Sequence, residues 1–147
     1  MGANLWILVW VGEPLDYPKY RHTAIYVEFD DHENKNRNNG TLFHVIGALG
    51  LFEFRENPDY NPAGDSNLRK KVEVGRVPDQ VSSPTLRSVL AATNVRNSNQ
   101  DADWNCQNWV GDALRRLVGL GWLSTEQMDV ALDAMVDACL EAEDTEY

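Results

Sequence analysis

Two cysteines, Cys106 and Cys139, and three histidines, His22, His32 and His44, are the side chains best suited to nucleophilic or acid–base chemistry. Cys106 lies in Trp104-Asn105-Cys106-Gln107-Asn108-Trp109-Val110. The spacing of Trp109, Val110, Ala113, Leu114 and Leu117 there predicts a helix over Asp103–Val118. A sulfur at a helix start meets unpaired N–H groups and the positive end of the helix dipole, both of which favour a thiolate. For a free cysteine taken alone, core filling on an apolar helix face stays open as the simpler reading. Asp101 and Asp103 stand close by, and a carboxylate facing the sulfur would oppose its ionisation.

His22 opens a strand-like stretch after a proline-rich loop, and His44 stands amid Leu42, Phe43, Val45 and Ile46. On adjacent antiparallel strands two such histidines can share one side of the sheet, one as a base and the other as its orienting partner. Taken singly, each also reads as a partly buried, hydrogen-bonded histidine. His32 lies in a wholly polar stretch and reads as a solvated side chain. A thiol nucleophile needs a base within hydrogen-bond reach and a third group to fix that base's tautomer. The set His22, His44 and Cys106 matches this need. No close Cys/His pair has zinc spacing. Gly47-x-x-Gly50 is too short for a phosphate loop and does not precede a helix. Neither a metal nor a cofactor is expected.

The elements that must position these residues follow from periodicity. Leu5–Val11 is a short apolar run and predicts a buried strand. Thr23–Phe29, Thr41–Ile46, Leu51–Arg55 and Lys70–Val77 predict four more strands. Asp30–Gly40 predicts a long polar hairpin loop, with Asn39-Gly40 as turn chemistry, and Asn57–Ser66 predicts a second loop. Beyond Pro78 the pattern becomes helical. Ser83-Pro84 starts one helix, with Leu86, Val89 and Leu90 on its apolar face. Ser124 and Gln127 form a capping-box signature for the last helix. Met128, Leu132, Met135, Val136, Cys139 and Leu140 are its expected apolar stripe, and Asp129, Asp133, Asp137 and Glu141 its acidic one. Trp6, Trp10, Trp104, Trp109 and Trp122 are expected to fill the core. Strands first and helices after predict an α+β fold with a largely antiparallel sheet. The expected organisation is one domain over 1–147: 1–82 mostly β, 83–123 helical with the nucleophile helix, and 124–147 an acidic amphipathic helix.

Charge separates the last part from the rest. The chain of 147 residues carries 13 Lys+Arg and 23 Asp+Glu, a net charge of −10. Of these, 8 acidic residues and no Lys or Arg fall between Ser124 and Tyr147, so the preceding 123 residues carry 13 − 15 = −2. No basic face argues for nucleic acid as a partner. No apolar run approaches the ~20 residues of a membrane helix. There is no secretory n-region and h-region, and Trp6 stands where a myristoylation motif has Ser or Thr. Two isolated cysteines without a signal suggest free thiols and a cytoplasmic location. Acidic residues oppose the dipole at the end of the last helix, which predicts a frayed last turn.

The motifs resemble a known family. The segment Tyr20-Arg21-His22-Thr23-Ala24-Ile25-Tyr26-Val27 is similar to the histidine strand of the permuted NlpC/P60 papain-like enzymes, in the lecithin retinol acyltransferase-like branch. The segment Asn105-Cys106-Gln107-Asn108-Trp109-Val110 resembles its nucleophile helix. Gly40-Thr41-Leu42-Phe43-His44-Val45 resembles the following strand, which carries the third polar residue. The order His, His, Cys is that of the permuted group, and the similarity spans Tyr20 to Val118. The resemblance implies a papain-like fold with Cys106 as nucleophile, His22 as general base and His44 orienting His22. It implies the Cys106 N–H as an oxyanion donor, with Tyr20, Asn105 and Gln107 near the oxyanion and substrate.

The implied reaction is thiolate attack on a carbonyl, giving an acyl-enzyme. The chain departs from the pattern at Thr23, where an aromatic is common, and at Asn108, where a histidine is common. An acidic helix stands where lipid-acting members carry a hydrophobic anchor, so no stable membrane anchor is expected. The expected substrate is a small acyl or peptide-like molecule, or a protein, attacked at an amide, ester or thioester. Two alternatives share the fold: a non-catalytic interaction module using the acidic helix, and a biosynthetic acyl-transfer or cyclisation enzyme using the same thiol.

Overall fold

In the computed structural model, which describes residues 2–30 and 40–144, five antiparallel strands and three helices form an α+β fold. The strands are β1 (Ala3–Trp10), β2 (Thr23–Phe29), β3 (Gly40–Ile46), β4 (Glu53–Tyr60) and β5 (Leu68–Val77). They lie in the order β4-β3-β2-β1-β5. The helices are α1 (Ser83–Ala91), α2 (Cys106–Gly119) and α3 (Thr125–Leu140). The polar stretch 31–39, with His32 and the expected hairpin turn, lies outside the described residues.

Interior position explains the composition of the strands. β1 and β2 each have neighbours on both edges and apolar cover on both faces, so they read as nearly continuous apolar runs. One face buries Leu5, Ile7, Val9, Ile25, Val27, Phe43 and Val45 against Leu86, Leu90, Trp109, Leu114, Leu117 and Met135 of the helices. The other face carries a smaller cluster of Leu8, Trp10, Ala24, Tyr26 and Leu42, with Trp6, Tyr60 and Leu68 packed on it. Gly75, at φ +155, marks a break in β5's register where Leu5 pairs with Gly75 and Trp6 with Glu73. A Cβ there would lie 2.6 Å from Gln127 Nε2, so the missing side chain lets α3 close onto the sheet.

Several elements differ from expectation, and β1 and β5 each start two residues early, at Ala3 and Leu68. β4 begins at Glu53 and runs through Asn57 and Pro58 to Tyr60, across part of the expected loop. As an edge strand it tolerates proline, and it bulges there: Leu42 pairs with Asn57 but Gly40 with Tyr60, with Asp59 at φ +59. α2 begins at Cys106 rather than Asp103, because Asn105 is its N-cap. In α3 the buried residues are Ala131, Met135, Ala138 and Cys139, whereas Val136 and Leu140 of the expected stripe are 49% and 65% exposed. The small alanines let the helix approach closely and rotate the buried face away from those two positions.

The end of α3 is held rather than frayed, at least through Asp144. The buried Arg21 guanidinium donates to Ala138 O at 3.0 Å and Glu141 O at 3.4 Å, supplying the positive charge that α3 lacks at its own end. Arg21 is paired in turn with buried Asp16, Nη2 to Oδ2 at 2.8 Å. Asp16 Oδ2 also accepts from Glu143 N at 3.0 Å, and Asp16 N donates to Asp144 Oδ2 at 2.9 Å. Asp129, Asp133 and Asp137 are exposed. Among the described residues, no helix is long and apolar enough to cross a membrane.

Candidate active site

Local sequence sets the start of α2. Asn105 Oδ1 accepts from the Gln107 N–H at 2.9 Å, and Asn108 Oδ1 accepts from the Asn105 N–H at 3.0 Å, a reciprocal cap. Asn108 is therefore used to begin the helix. Cys106 is the first residue inside it, 9% exposed, with its thiol 3.9 Å from Arg21 O. The helix start is stitched to the turn before β2. Gln107 Nε2 donates to Pro18 O at 2.9 Å and Arg21 O at 3.1 Å, and Asn105 Nδ2 donates to Lys19 O at 3.3 Å. The side-chain amides of Asn105 and Gln107 thus hold backbone.

The two histidines come together across β2 and β3. The register pairs Ile25 with Phe43, and continuing it by one residue sets His44 opposite Ala24, with His22 its diagonal neighbour on the same face. His22 Nε2 lies 2.7 Å from His44 Nδ1, and His44 Nε2 lies 2.9 Å from Asn57 Oδ1 on β4. The indole of Trp10 packs on His22 with ring centroids 5.2 Å apart, and Asp65 Oδ2 holds that indole N–H at 2.8 Å.

A cavity of about 760 Å³ is lined by both His22 and Cys106. Tyr20, Lys19, Asn105 and Asp103 border it, with an apolar wall of Val45, Leu49, Phe52 and Trp104. Asn97 fixes that wall by bonding both the N–H and the C=O of Phe52, at 2.8 and 3.0 Å. Of the five tryptophans, Trp10, Trp104 and Trp109 are buried in the core, and Trp10 packs on His22 while Trp104 lines the cavity. Asp101 is turned to the Ser98 hydroxyl and Arg96.

Burial pushes the Cys106 thiol above its ordinary value. The Thr23 N–H and hydroxyl, and the N–H groups of Gln107 and Cys106, act in the opposite direction by favouring the thiolate. Among the described residues the buried Thr23 hydroxyl makes no hydrogen bond of ordinary geometry. Burial, and then the neighbouring His44, hold His22 down to about 4. Burial also lowers His44, against the opposing bond to Asn57. At neutral pH the thiol is therefore protonated and both imidazoles are uncharged.

Sequence reasoning missed Asn57, whose neighbour Pro58 signals a loop, and missed Thr23 as a donor to sulfur. It also missed the Asp16–Arg21 pair. The only signal for that pair was an arginine standing directly before a buried strand. Among the described residues, no three His, Cys, Asp or Glu side chains converge as metal ligands, and both cysteines are free.

The family described as "Family of unknown function (DUF6540)" matches residues 9–124, a span that contains His22, His44, Asn57 and Cys106. No curated protein and no solved structure matches the chain.

Proposed function

The chain belongs to that family of unknown function, and we propose that its members' shared span here encloses a papain-like thiol hydrolase or acyltransferase site. We read the arrangement as that of the permuted NlpC/P60 enzymes, with Cys106 as nucleophile and His22 as general base. The observation that carries the proposal is that His22, hydrogen-bonded to His44 at 2.7 Å between nitrogens, lines the same cavity as the helix-start Cys106.

In this mechanism His22 takes the Cys106 proton as sulfur attacks the carbonyl carbon of an amide, ester or thioester. The Cys106 N–H at the start of α2 stabilises the oxyanion. Collapse of the tetrahedral intermediate breaks the bond to the leaving group, which receives the proton from His22. Water, or another nucleophile, then attacks the acyl-sulfur bond with His22 again accepting the proton, which frees the thiol. Hydrolysis and acyl transfer differ only in which acceptor enters. A cavity of about 760 Å³, apolar on one wall and polar on the other, suits a small acyl or peptide-like substrate. The sides of α3 that face away from the sheet carry the acidic stripe and do not line this cavity.

The test is acylation by an activated ester, p-nitrophenyl acetate, followed by intact mass and peptide mapping. The expected adduct is one acetyl group on Cys106, absent from Cys106→Ala and formed about 10²-fold more slowly in His22→Ala. An adduct that forms at the same rate without His22, or that maps elsewhere, would remove the proposal.

A further inference from the structure

We propose that Asn57 is a positioning residue: its side-chain carbonyl sets the tautomers of His44 and His22 in turn and leaves the lone pair of His22 on Nδ1. The inference rests on the reading of His22 as general base and says what makes it one.

The argument starts from the donor inventory. An amide oxygen can only accept a hydrogen bond. Asn57 Oδ1 lies 2.9 Å from His44 Nε2, so that nitrogen carries hydrogen. Burial keeps His44 uncharged at neutral pH, so its other nitrogen, Nδ1, has none and must accept. The atom 2.7 Å from it is His22 Nε2, which therefore donates. His22 is likewise uncharged, so Nδ1 is its basic nitrogen. Two hydrogen bonds and one amide oxygen decide which imidazole atom can take a proton from a thiol.

Sheet geometry supplies an independent reason for this role. His44 pairs with Arg55 across β3 and β4, and Leu42 pairs with Asn57, which makes Asn57 the diagonal neighbour of His44. His22 is the diagonal neighbour on the other side, so the three residues cross three strands in one line. The bulge in β4 comes immediately after Asn57, and ends the regular register only once Asn57 is set. A one-residue slip would turn Asn57 to the opposite face and break the line.

The reverse amide orientation would invert the relay. The Asn57 NH₂ would donate to His44 Nε2, His44 Nδ1 would donate to His22 Nε2, and His22 Nδ1 would hold hydrogen instead of a lone pair. The two orientations predict opposite tautomers, which long-range ¹H–¹⁵N correlation spectra of the full chain read directly at neutral pH. The expected result is hydrogen on Nε2 and none on Nδ1 for both His22 and His44. Hydrogen on Nδ1 of either ring would overturn the proposal.

Variants give a second readout. Asn57 is exposed on an edge strand, so replacing it removes little packing. Asn57→Asp keeps an acceptor and is expected to keep the tautomers, with acetylation of Cys106 within about 3-fold of the parent rate. Asn57→Leu removes the acceptor and is expected to mix the tautomers of His22 and slow acetylation about 10-fold, because water replaces the amide only in part. Equal slowing in both variants, or no change in either, would overturn the role assigned to Asn57. If instead His22→Ala leaves acetylation untouched, the general-base reading fails, while the spectra still decide the tautomers.

Discussion

Cys106 and Cys139 are both free and both buried, yet they occupy opposite ends of helices. Cys106 is the first residue of α2, and Cys139 stands in the last turn of α3. Burial raises both thiols. For Cys139 burial and then the charge of Cys106 take it up to about 12, although Arg21 pulls the other way. Cys139 stands at the negative end of the α3 dipole, which disfavours a thiolate. Around Cys106 the peptide N–H groups of the helix start and the Thr23 pair point at sulfur and favour it. Cys106 also shares a cavity with an imidazole. The difference teaches that helix polarity and access, rather than residue type, single out one thiol. Arg21 joins the two ends: its carbonyl touches the Cys106 thiol while its guanidinium holds the carbonyls beside Cys139.

The largest way to break that comparison is to cut the joint. Arg21→Met strands Asp16 as a buried, unpaired carboxylate and releases the end of α3. It should lower stability by about 3 kcal/mol, read by urea unfolding. The same pair gives a pH signature. The Arg21 guanidinium, opposed by burial, holds Asp16 well below its ordinary 3.8. The folded state therefore binds its proton later than the unfolded state does. The contribution is complete above about pH 4 and is lost as pH falls below it, a slope that Arg21→Met should flatten.

His22 sharpens the contrast in a second window. An unfolded histidine takes its proton near 6.5, and folded His22 does so only near 4. Its contribution to stability is present above pH 6.5 and is lost as pH falls through 4. His22→Gln should remove up to one proton's slope there, about 1.4 kcal/mol per pH unit. Acylation of Cys106 should keep its base down to about pH 4 rather than fail at 6.5.

Thr23→Val makes a smaller change aimed at one sulfur alone. Removing the hydroxyl takes a donor from the thiolate and should slow acetylation about 10-fold. Stability should hold or rise by less than ~1 kcal/mol, since the hydroxyl is buried without a hydrogen bond of ordinary geometry. Cys139→Ala is the smallest. It should leave the acetylation rate within about 2-fold and cost about 1 kcal/mol of packing, read by thermal and urea unfolding.

Much of this molecule was legible along the chain because the forces involved are local. The interior strand β2 follows from its apolar run, with the same bounds in sequence and structure. The capping box of α3 follows from side chains that bond N–H groups three residues away. The start of α2 at Cys106 was less legible, because the apolar spacing extended the expected helix back to Asp103 and passed over the Asn105 cap. The pairing of His22 with His44 was expected from two neighbouring strands, and register made them diagonal rather than directly opposite.

What stayed hidden depends on partners remote in sequence. Asn57 sits beside a proline that signals a loop, and only an edge position in the sheet lets that stretch be strand. The buried face of α3 was decided by how closely alanines could approach β5, which periodicity alone leaves open. The end of α3 looked unsupported because its positive charge comes from Arg21, 117 residues before Ala138. Sequence determined which elements form and in what order, since backbone hydrogen bonds and periodicity act within a few residues. Only the tertiary structure decided which nitrogen, which amide and which arginine meet the thiol, because those contacts exist only once the chain has brought distant segments to bonding distance.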